Sequence, residues 1–243
     1  MCCKNFSSND RIIIEPYDVL RLSRRLSIST GKFLEQYADL TLDDHTHFPV
    51  ALLKYKGNRR RNKCHFLRSY GCSVYEDRPL RCRLYPLGRI LNRGKSYFIH
   101  IGNCICEDSP GDKSWGAQEW TDASGAEDYL DYQGCISDIF SFADWDAYRN
   151  LNKDLKHMLG EALCNIDGFL EKIPEISRPV SDKEIMLSLK CWIEGFFIDN
   201  GCLESDYRTK KVVKFTAGTG AEKSEFTGLI TVEKKETPLG VIK

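Results

Sequence analysis

The chain has 243 residues with 35 basic and 35 acidic side chains, so its formal net charge is zero. A molecule without net charge has no overall field that would draw it to nucleic acid or to an anionic membrane. The chain has no apolar run near the roughly 20 residues of a membrane span, and its opening residues lack a signal peptide's apolar stretch. We therefore expect a globular cytoplasmic protein that has no membrane partner.

The first part of the chain predicts short strands that alternate with short helices. The β-branched residues at 11–15 predict a strand, and the proline that follows opens an amphipathic helix ending near Leu26. Ser29 and Thr30 predict the cap of a second helix. Residues 48–55 then predict a further strand.

The middle of the chain, residues 64–106, has little clean periodicity. A helical turn at 79–85 and a strand at 97–101 are the elements that we predict there. Irregular backbone of this kind needs something to hold it in place. Beyond it, amphipathic helices are predicted at 126–173 and again at 181–197.

These elements predict an α+β fold. Short strands and cysteine-bearing loops form an N-terminal lobe, and the C-terminal half is mainly helical. The expected domains are a cysteine-cluster metal-binding domain at 1–125, a helical region at 126–202 and a tail at 203–243. The tail is rich in Lys, Thr, Glu and Gly, so we expect weak order apart from one hairpin around 226–232.

The 11 cysteines are unevenly distributed. In a reducing compartment stable disulfides are rare, so metal-binding or catalytic thiols are the better explanation. Thiolate is a soft ligand that suits zinc and iron–sulfur clusters, and structural sites take four protein ligands. Seven cysteines precede residue 110 and are the candidate metal ligands: Cys2, Cys3, Cys64, Cys72, Cys82, Cys104 and Cys106.

Three of these candidates have the most specific surroundings. Gly71 permits a tight turn that would aim the sulfurs of Cys64 and Cys72 inward. Pro79 precedes one turn of helix, which would carry Cys82. These spacings favour a metal site over buried free cysteines.

The other ligand candidates leave alternatives open. Cys104 and Cys106 are separated by one residue, so either or both could ligate from an extended segment, with Cys106 as the first choice. His65, beside a cysteine, and the pair His45 and His47 make a mixed Cys/His zinc site the second choice after an all-thiolate site.

Several other residues are expected to have supporting or structural roles. Tyrosines and arginines of the middle region should pack or hydrogen-bond around the site: Tyr75, Arg78, Tyr85 and Arg89. Four cysteines that stand alone in or beside helical patterns are expected to be small buried hydrophobes: Cys135, Cys164, Cys191 and Cys202. The basic run at 59–61 predicts a solvated turn rather than a clear nucleic-acid signal.

The cysteine region also resembles a known family. The resemblance rests on Cys64-x-Phe66-Leu67 and Gly71-Cys72-Ser73-Val74-Tyr75-Glu76-x-Arg78-Pro79-Leu80-x-Cys82-Arg83-x-Tyr85-Pro86. This signature is similar to that of the cysteine-cluster family described as zinc- or iron-chelating, or as containing an iron–sulfur cluster. The family opens with C-x-x-C-x-x-C-C, and this sequence carries the final pair, so we expect the other two ligands upstream, with a smaller ligand set in this member as the alternative.

The resemblance implies a metal ion or cluster as partner, with a 4Fe–4S cluster as the first expectation and zinc as the second. The family is also similar to flagellin lysine N-methylase, so the alternative is an S-adenosylmethionine-dependent lysine methyltransferase with a protein substrate. No glycine-rich cofactor loop follows a strand here, and no radical S-adenosylmethionine motif is present. Redox chemistry at Cys2 and Cys3 is a third, weaker hypothesis. The residues leave open whether the protein is an enzyme.

Overall fold

The computed structural model describes residues 3–6, 11–44, 46–57, 62–92, 95–101, 115–173 and 181–204. Four candidate metal ligands lie in these ranges: Cys3, Cys64, Cys72 and Cys82. Cys2, Cys104, Cys106 and His45 lie outside them, as do the basic run at 59–61 and the tail beyond residue 204.

The strands of the described residues are short and lie in the N-terminal part of the chain. They are β1 (Lys4–Phe6), β2 (Ile13–Ile14), β3 (Ala38–Leu42), β4 (Pro49–Leu53), β5 (Tyr55–Lys56), β6 (Asn62–Cys64), β7 (Leu67–Arg68), β8 (Gly71–Cys72), β9 (Leu87–Asn92) and β10 (Lys95–His100). All pairings are antiparallel. They form sheets ordered β2-β4-β3 and β1-β6-β5, and the hairpins β7-β8 and β9-β10.

Helices lie between the strands and fill the C-terminal part of the described chain. They are α1 (Pro16–Leu26), α2 (Thr30–Tyr37), α3 (Leu80–Leu84), α4 (Ala117–Ala123), α5 (Glu127–Phe142), α6 (Trp145–Arg149), α7 (Lys153–Cys164), α8 (Ile166–Lys172) and α9 (Asp182–Asp199). None of the helices in this part of the chain combines the length and apolar character that crossing a membrane requires.

One hydrophobic core joins the N-terminal strands to the C-terminal helices. Leu22 of α1 and Leu53 of β4 are buried in the same cluster as Leu159 of α7 and Leu189 of α9. The β4 strand alternates, with Pro49, Ala51 and Leu53 facing the core, as period-two burial requires. Cys64 is part of this core, and Cys3 and Cys72 pack against it.

The α+β prediction is confirmed, with short antiparallel strands in the N-terminal part and helices beyond them. The Pro16 helix ends at Leu26 as predicted, and the Ser29 hydroxyl caps the next helix by accepting from Lys32 N. The strand at 38–42 was not predicted. It is an edge strand in which only Ala38 is buried, so it lacks the apolar face that marks a packed strand.

Candidate metal centre

Cys3 and Cys64 are brought together by the sheet β1-β6-β5. The backbone N–H of Cys64 donates to the carbonyl of Cys3 at 3.2 Å. On the other side, Cys64 pairs with Tyr55 of β5. Side chains alternate along a strand, so buried Cys64 faces inward while its neighbour Lys63 is exposed.

The turn after Cys64 creates a hydrogen-bonded environment for its sulfur. The backbone N–H groups of Phe66 and Leu67 donate to the Cys64 sulfur and lower the pKa of its thiol, although burial is the larger influence and raises that pKa overall. Thiolates bound to metal are stabilised and tuned by N–H donors of this kind. Cys64 therefore sits where a bound thiolate would find support from the backbone.

The β7-β8 hairpin places Cys72 beside Cys64. Cys72 pairs with Leu67, and its charge would raise the pKa of the Cys64 thiol further. Gly71 has φ of +121°, a conformation that side-chain-bearing residues rarely adopt. The predicted tight glycine turn is thus confirmed.

Tyr55 lies near both Cys64 and Cys82, as its pKa shows. Burial raises the pKa of Tyr55 to about 12, and the neighbouring thiols of Cys64 and Cys82 contribute to that rise. The Tyr55 hydroxyl also accepts a hydrogen bond from Ile12 N at 3.1 Å. Helix α3, which carries Cys82, therefore ends up close to the sheet that carries Cys64.

These observations relate Cys64 separately to Cys3, to Cys72 and, through Tyr55, to Cys82. Across the ranges that the structure describes, no three Cys, His, Asp or Glu side chains are grouped closely enough to hold a metal ion. The chemistry of the donor set fits a thiophilic metal, because these residues offer thiols and backbone N–H donors to sulfur. The sulfur positions of the described cysteines do not by themselves form a metal cage.

Asp18 fixes the start of the Cys82 helix. Its carboxylate is fully buried and accepts from the N–H of Leu80, the first residue of α3, at 2.9 Å. The other carboxylate oxygen accepts from Glu15 N at 2.9 Å. One acidic side chain thus ties the N-terminus of α1 to the N-terminus of α3.

Arg83 fixes the same helix from its buried side. Its guanidinium donates to backbone carbonyls at Glu76, to Arg78 at 3.0 Å and to Ser124 at 3.0 Å. It also lies 4.3 Å from the ring centre of Tyr129. The segment between Cys72 and Cys82 is thereby held against the helical part of the protein.

Trp120 completes the support at the other end of α3. Its indole N–H donates to the carbonyl of Leu84 at 2.9 Å. That carbonyl belongs to the last turn of the helix, where backbone acceptors lack helical partners. The helix that carries Cys82 is therefore held at its start, its middle and its end.

A comparison with known protein families matches the part of the chain that carries these cysteines. Residues 1–107 match the model of the CxxCxxCC family, whose description is "Putative zinc- or iron-chelating domain". These residues are thus similar to that family, and we call them the CxxCxxCC domain after this match. The match includes all seven candidate cysteines. No curated protein and no solved structure matches the chain.

The arginines expected around the CxxCxxCC site have other contacts. Arg78 lies 4.0 Å from the ring centre of Tyr75 and donates to Ser124 O at 3.2 Å. Arg89 donates to Leu130 O at 3.4 Å, and its charge lies near the buried carboxyl of Glu15. These guanidinium groups thus contact backbone carbonyls and a tyrosine ring, and Arg89 also lies near a carboxyl.

Three of the four cysteines outside the domain signature are buried as predicted: Cys135, Cys164 and Cys202. Burial raises the pKa of the Cys164 thiol to about 12, as expected for an inert structural cysteine. The prediction is wrong for Cys191, which is exposed. Helix α9 turns Leu189 and Ile193 to the core, and Cys191 lies between them on the opposite side.

His65 has an aromatic contact that the sequence did not indicate. Its ring lies 4.8 Å from the ring of Tyr37 in an edge-on arrangement. Burial lowers the pKa of His65, and the nearby charges of Lys56, Arg68 and Lys54 lower it further. Burial and these cations therefore favour the neutral form of the imidazole.

The buried carboxyl of Asp18 should make the free energy of unfolding depend on pH. Burial raises its pKa from 3.8 to about 7, and the nearby Glu15 carboxylate raises it too, although two backbone N–H donors oppose the shift. The folded protein thus binds this proton more tightly than the unfolded chain does. Its contribution to the free energy of unfolding is fully present below about pH 4 and is lost as the pH rises to about 7.

Replacing Asp18 by Asn should flatten this part of the pH profile, because the amide does not titrate. The variant also loses one of the two N–H acceptors, which should cost about 1–3 kcal/mol. Urea unfolding at a series of pH values would measure both effects. Asp154→Asn, at an exposed position of α7, is the matched control. An unchanged slope between pH 4 and 7 in Asp18→Asn would contradict this account.

Proposed function

We propose that the CxxCxxCC domain binds one metal centre through cysteine thiolates, with Cys3, Cys64, Cys72 and Cys82 as ligands. The observation that carries this proposal is the environment of Cys64. Its sulfur is buried, receives two backbone N–H groups and lies beside Cys72, and its backbone is bonded to Cys3. A buried thiolate carries an uncompensated negative charge, and a bound metal cation would offset that charge.

Three further cysteines are alternative ligands in this proposal: Cys2, Cys104 and Cys106. Cys2 adjoins Cys3 in sequence, and Cys104 and Cys106 follow the β10 strand by a few residues. Because a structural metal site takes four protein ligands, seven candidates exceed the need of one centre. Cys2, Cys104 and Cys106 are therefore alternatives for any of the four positions.

An iron–sulfur cluster of the 4Fe–4S type is the first form that we propose, and zinc is the alternative. An all-thiolate donor set suits both. Hydrogen bonds from backbone N–H groups to cysteine sulfur are one of the means by which proteins set the potential of an iron–sulfur cluster. The two donors at Cys64 fit that role.

In this proposal the metal stabilises short strands and a short helix that carry its ligands. Strands β7 and β8 have 2 residues each and helix α3 has 5. Elements of this size bury little apolar surface, so they depend on tertiary constraints. Metal affinity would then contribute directly to the folding free energy of the N-terminal part.

Anaerobic purification followed by metal analysis, acid-labile sulfide assay and an ultraviolet–visible spectrum tests the proposal. Brown protein that contains iron and sulfide would support the cluster. Colourless protein with one zinc per chain would support the metal centre in its zinc form. Protein without bound metal, whose Cys64 variant behaves identically, would overturn it.

A further inference from the structure

The outer face of the sheet β1-β6-β5 is basic. Lys56 of β5 pairs with Lys63 of β6, and both side chains are exposed. Like charges placed directly opposite each other on antiparallel strands are destabilising. The fold therefore holds two positive charges together at a cost that a negatively charged partner would remove.

Further cations surround the same place. Lys56 and Arg68 lie close enough to His65 for their charges to act on its ring, as does Lys54, whose ammonium is ion-paired with the Asp39 carboxylate at 3.7 Å. Arg68 is held there by its own hydrogen bonds, since its guanidinium donates to His65 O at 2.8 Å and to Leu67 O at 3.2 Å. The net charge of the chain is zero, so this is a local concentration of positive charge.

An exposed aromatic side chain follows Arg68 by two residues along the chain. Tyr70 is 79% exposed, the most exposed large hydrophobic side chain in the described residues. It lies in the turn of the hairpin whose first strand ends at Arg68. Its ring is therefore available to a partner that also reaches Arg68 in the first strand of the same hairpin.

We propose that this basic face, made of Lys56, Lys63, Arg68 and Tyr70, binds single-stranded nucleic acid. Cations that follow a phosphate backbone, with aromatic rings on which bases stack, are how proteins bind single strands without sequence preference. An acidic polypeptide would engage the charges but has no base to stack on Tyr70. The tyrosine therefore favours nucleic acid between these two partners.

Fluorescence anisotropy with a labelled oligouridylate of about 12 nucleotides, a length within the usual site sizes, tests the proposal on anaerobically purified protein. The double charge reversal Lys56→Glu with Lys63→Glu should weaken binding at least tenfold. The dependence of log affinity on log salt should fall by about 1.4, since each lost phosphate contact removes about 0.7. Lys153→Glu with Lys183→Glu, at exposed positions of α7 and α9, is the matched control and should bind normally.

Tyr70→Ser separates stacking from charge. It should weaken binding about tenfold with an unchanged salt dependence, because base stacking is lost and the phosphate contacts remain. The milder pair Lys56→Gln with Lys63→Gln repeats the charge test if the reversal disturbs folding. No binding by the parent chain, an equal loss in the control pair, or equal competition by polyglutamate with no effect of Tyr70→Ser would each overturn the proposal.

Discussion

Replacing Cys64 by Ser should reduce the metal retained by the purified protein at least about tenfold, since even changes at groups that support a ligand cost 10–100-fold in affinity. The sulfur of Cys64 is buried and receives the N–H groups of Phe66 and Leu67. A serine hydroxyl is a poor replacement, because it is a hard donor and stays protonated. Metal analysis of protein purified anaerobically would measure the loss.

The same variant should lose the stability that metal binding supplies. A ligand that binds the folded state alone raises the midpoint of thermal unfolding, so the parent protein should unfold at a higher temperature with metal than after chelation. Cys64→Ser should unfold at the same temperature in both conditions. The control is Cys191→Ser, because Cys191 is exposed on α9 and outside the CxxCxxCC domain. Equal metal content in the two variants would contradict the role of Cys64.

Replacing Arg83 by Met should destabilise the fold by about 3 kcal/mol, because three partly buried hydrogen bonds from its guanidinium to backbone carbonyls are lost, at about 1 kcal/mol or more each. These carbonyls belong to Glu76, Arg78 and Ser124. In a chain of this size, that loss lowers Tm by about 6–12 °C. Differential scanning calorimetry would measure it.

Arg81→Met is a close control for this prediction, because Arg81 lies in the same helix and is exposed. Arg83→Met should also weaken metal retention, since α3 carries Cys82 and would lose one of its supports. Lysine at position 83 should restore little, because an ammonium does not reproduce the planar set of guanidinium donors. An Arg81→Met variant as unstable as Arg83→Met would show that burial of Arg83 is not the cause.

Local sequence patterns predicted the elements whose signals lie within a few residues. The Pro16 helix and the helix capped by Ser29 have their start signals in the adjacent residues, and both were predicted. The glycine turn before Cys72 is of the same kind. Signals of this sort depend on backbone preferences and on nearest neighbours, which a sequence displays directly.

The long-range hydrogen bonds that hold helix α3 could not be predicted from local sequence patterns. Asp18 accepts from Leu80 N, 62 residues away, and Arg83 donates to Ser124 O, 41 residues away. Arg83 is part of the family signature, but the partners of both Asp18 and Arg83 depend on how distant elements pack. A buried polar residue in a signature shows that a partner exists, and the fold alone shows which one.

X-ray absorption at the metal edge of the anaerobically purified protein tests the all-thiolate centre most directly. We predict a first coordination shell made of sulfur at about 2.3 Å, the distance typical of zinc–thiolate bonds, and no nitrogen ligand, for iron or for zinc. The Cys191→Ser control should give the same spectrum. A first shell of nitrogen or oxygen, or a metal-free protein, would contradict the thiolate site built around Cys64.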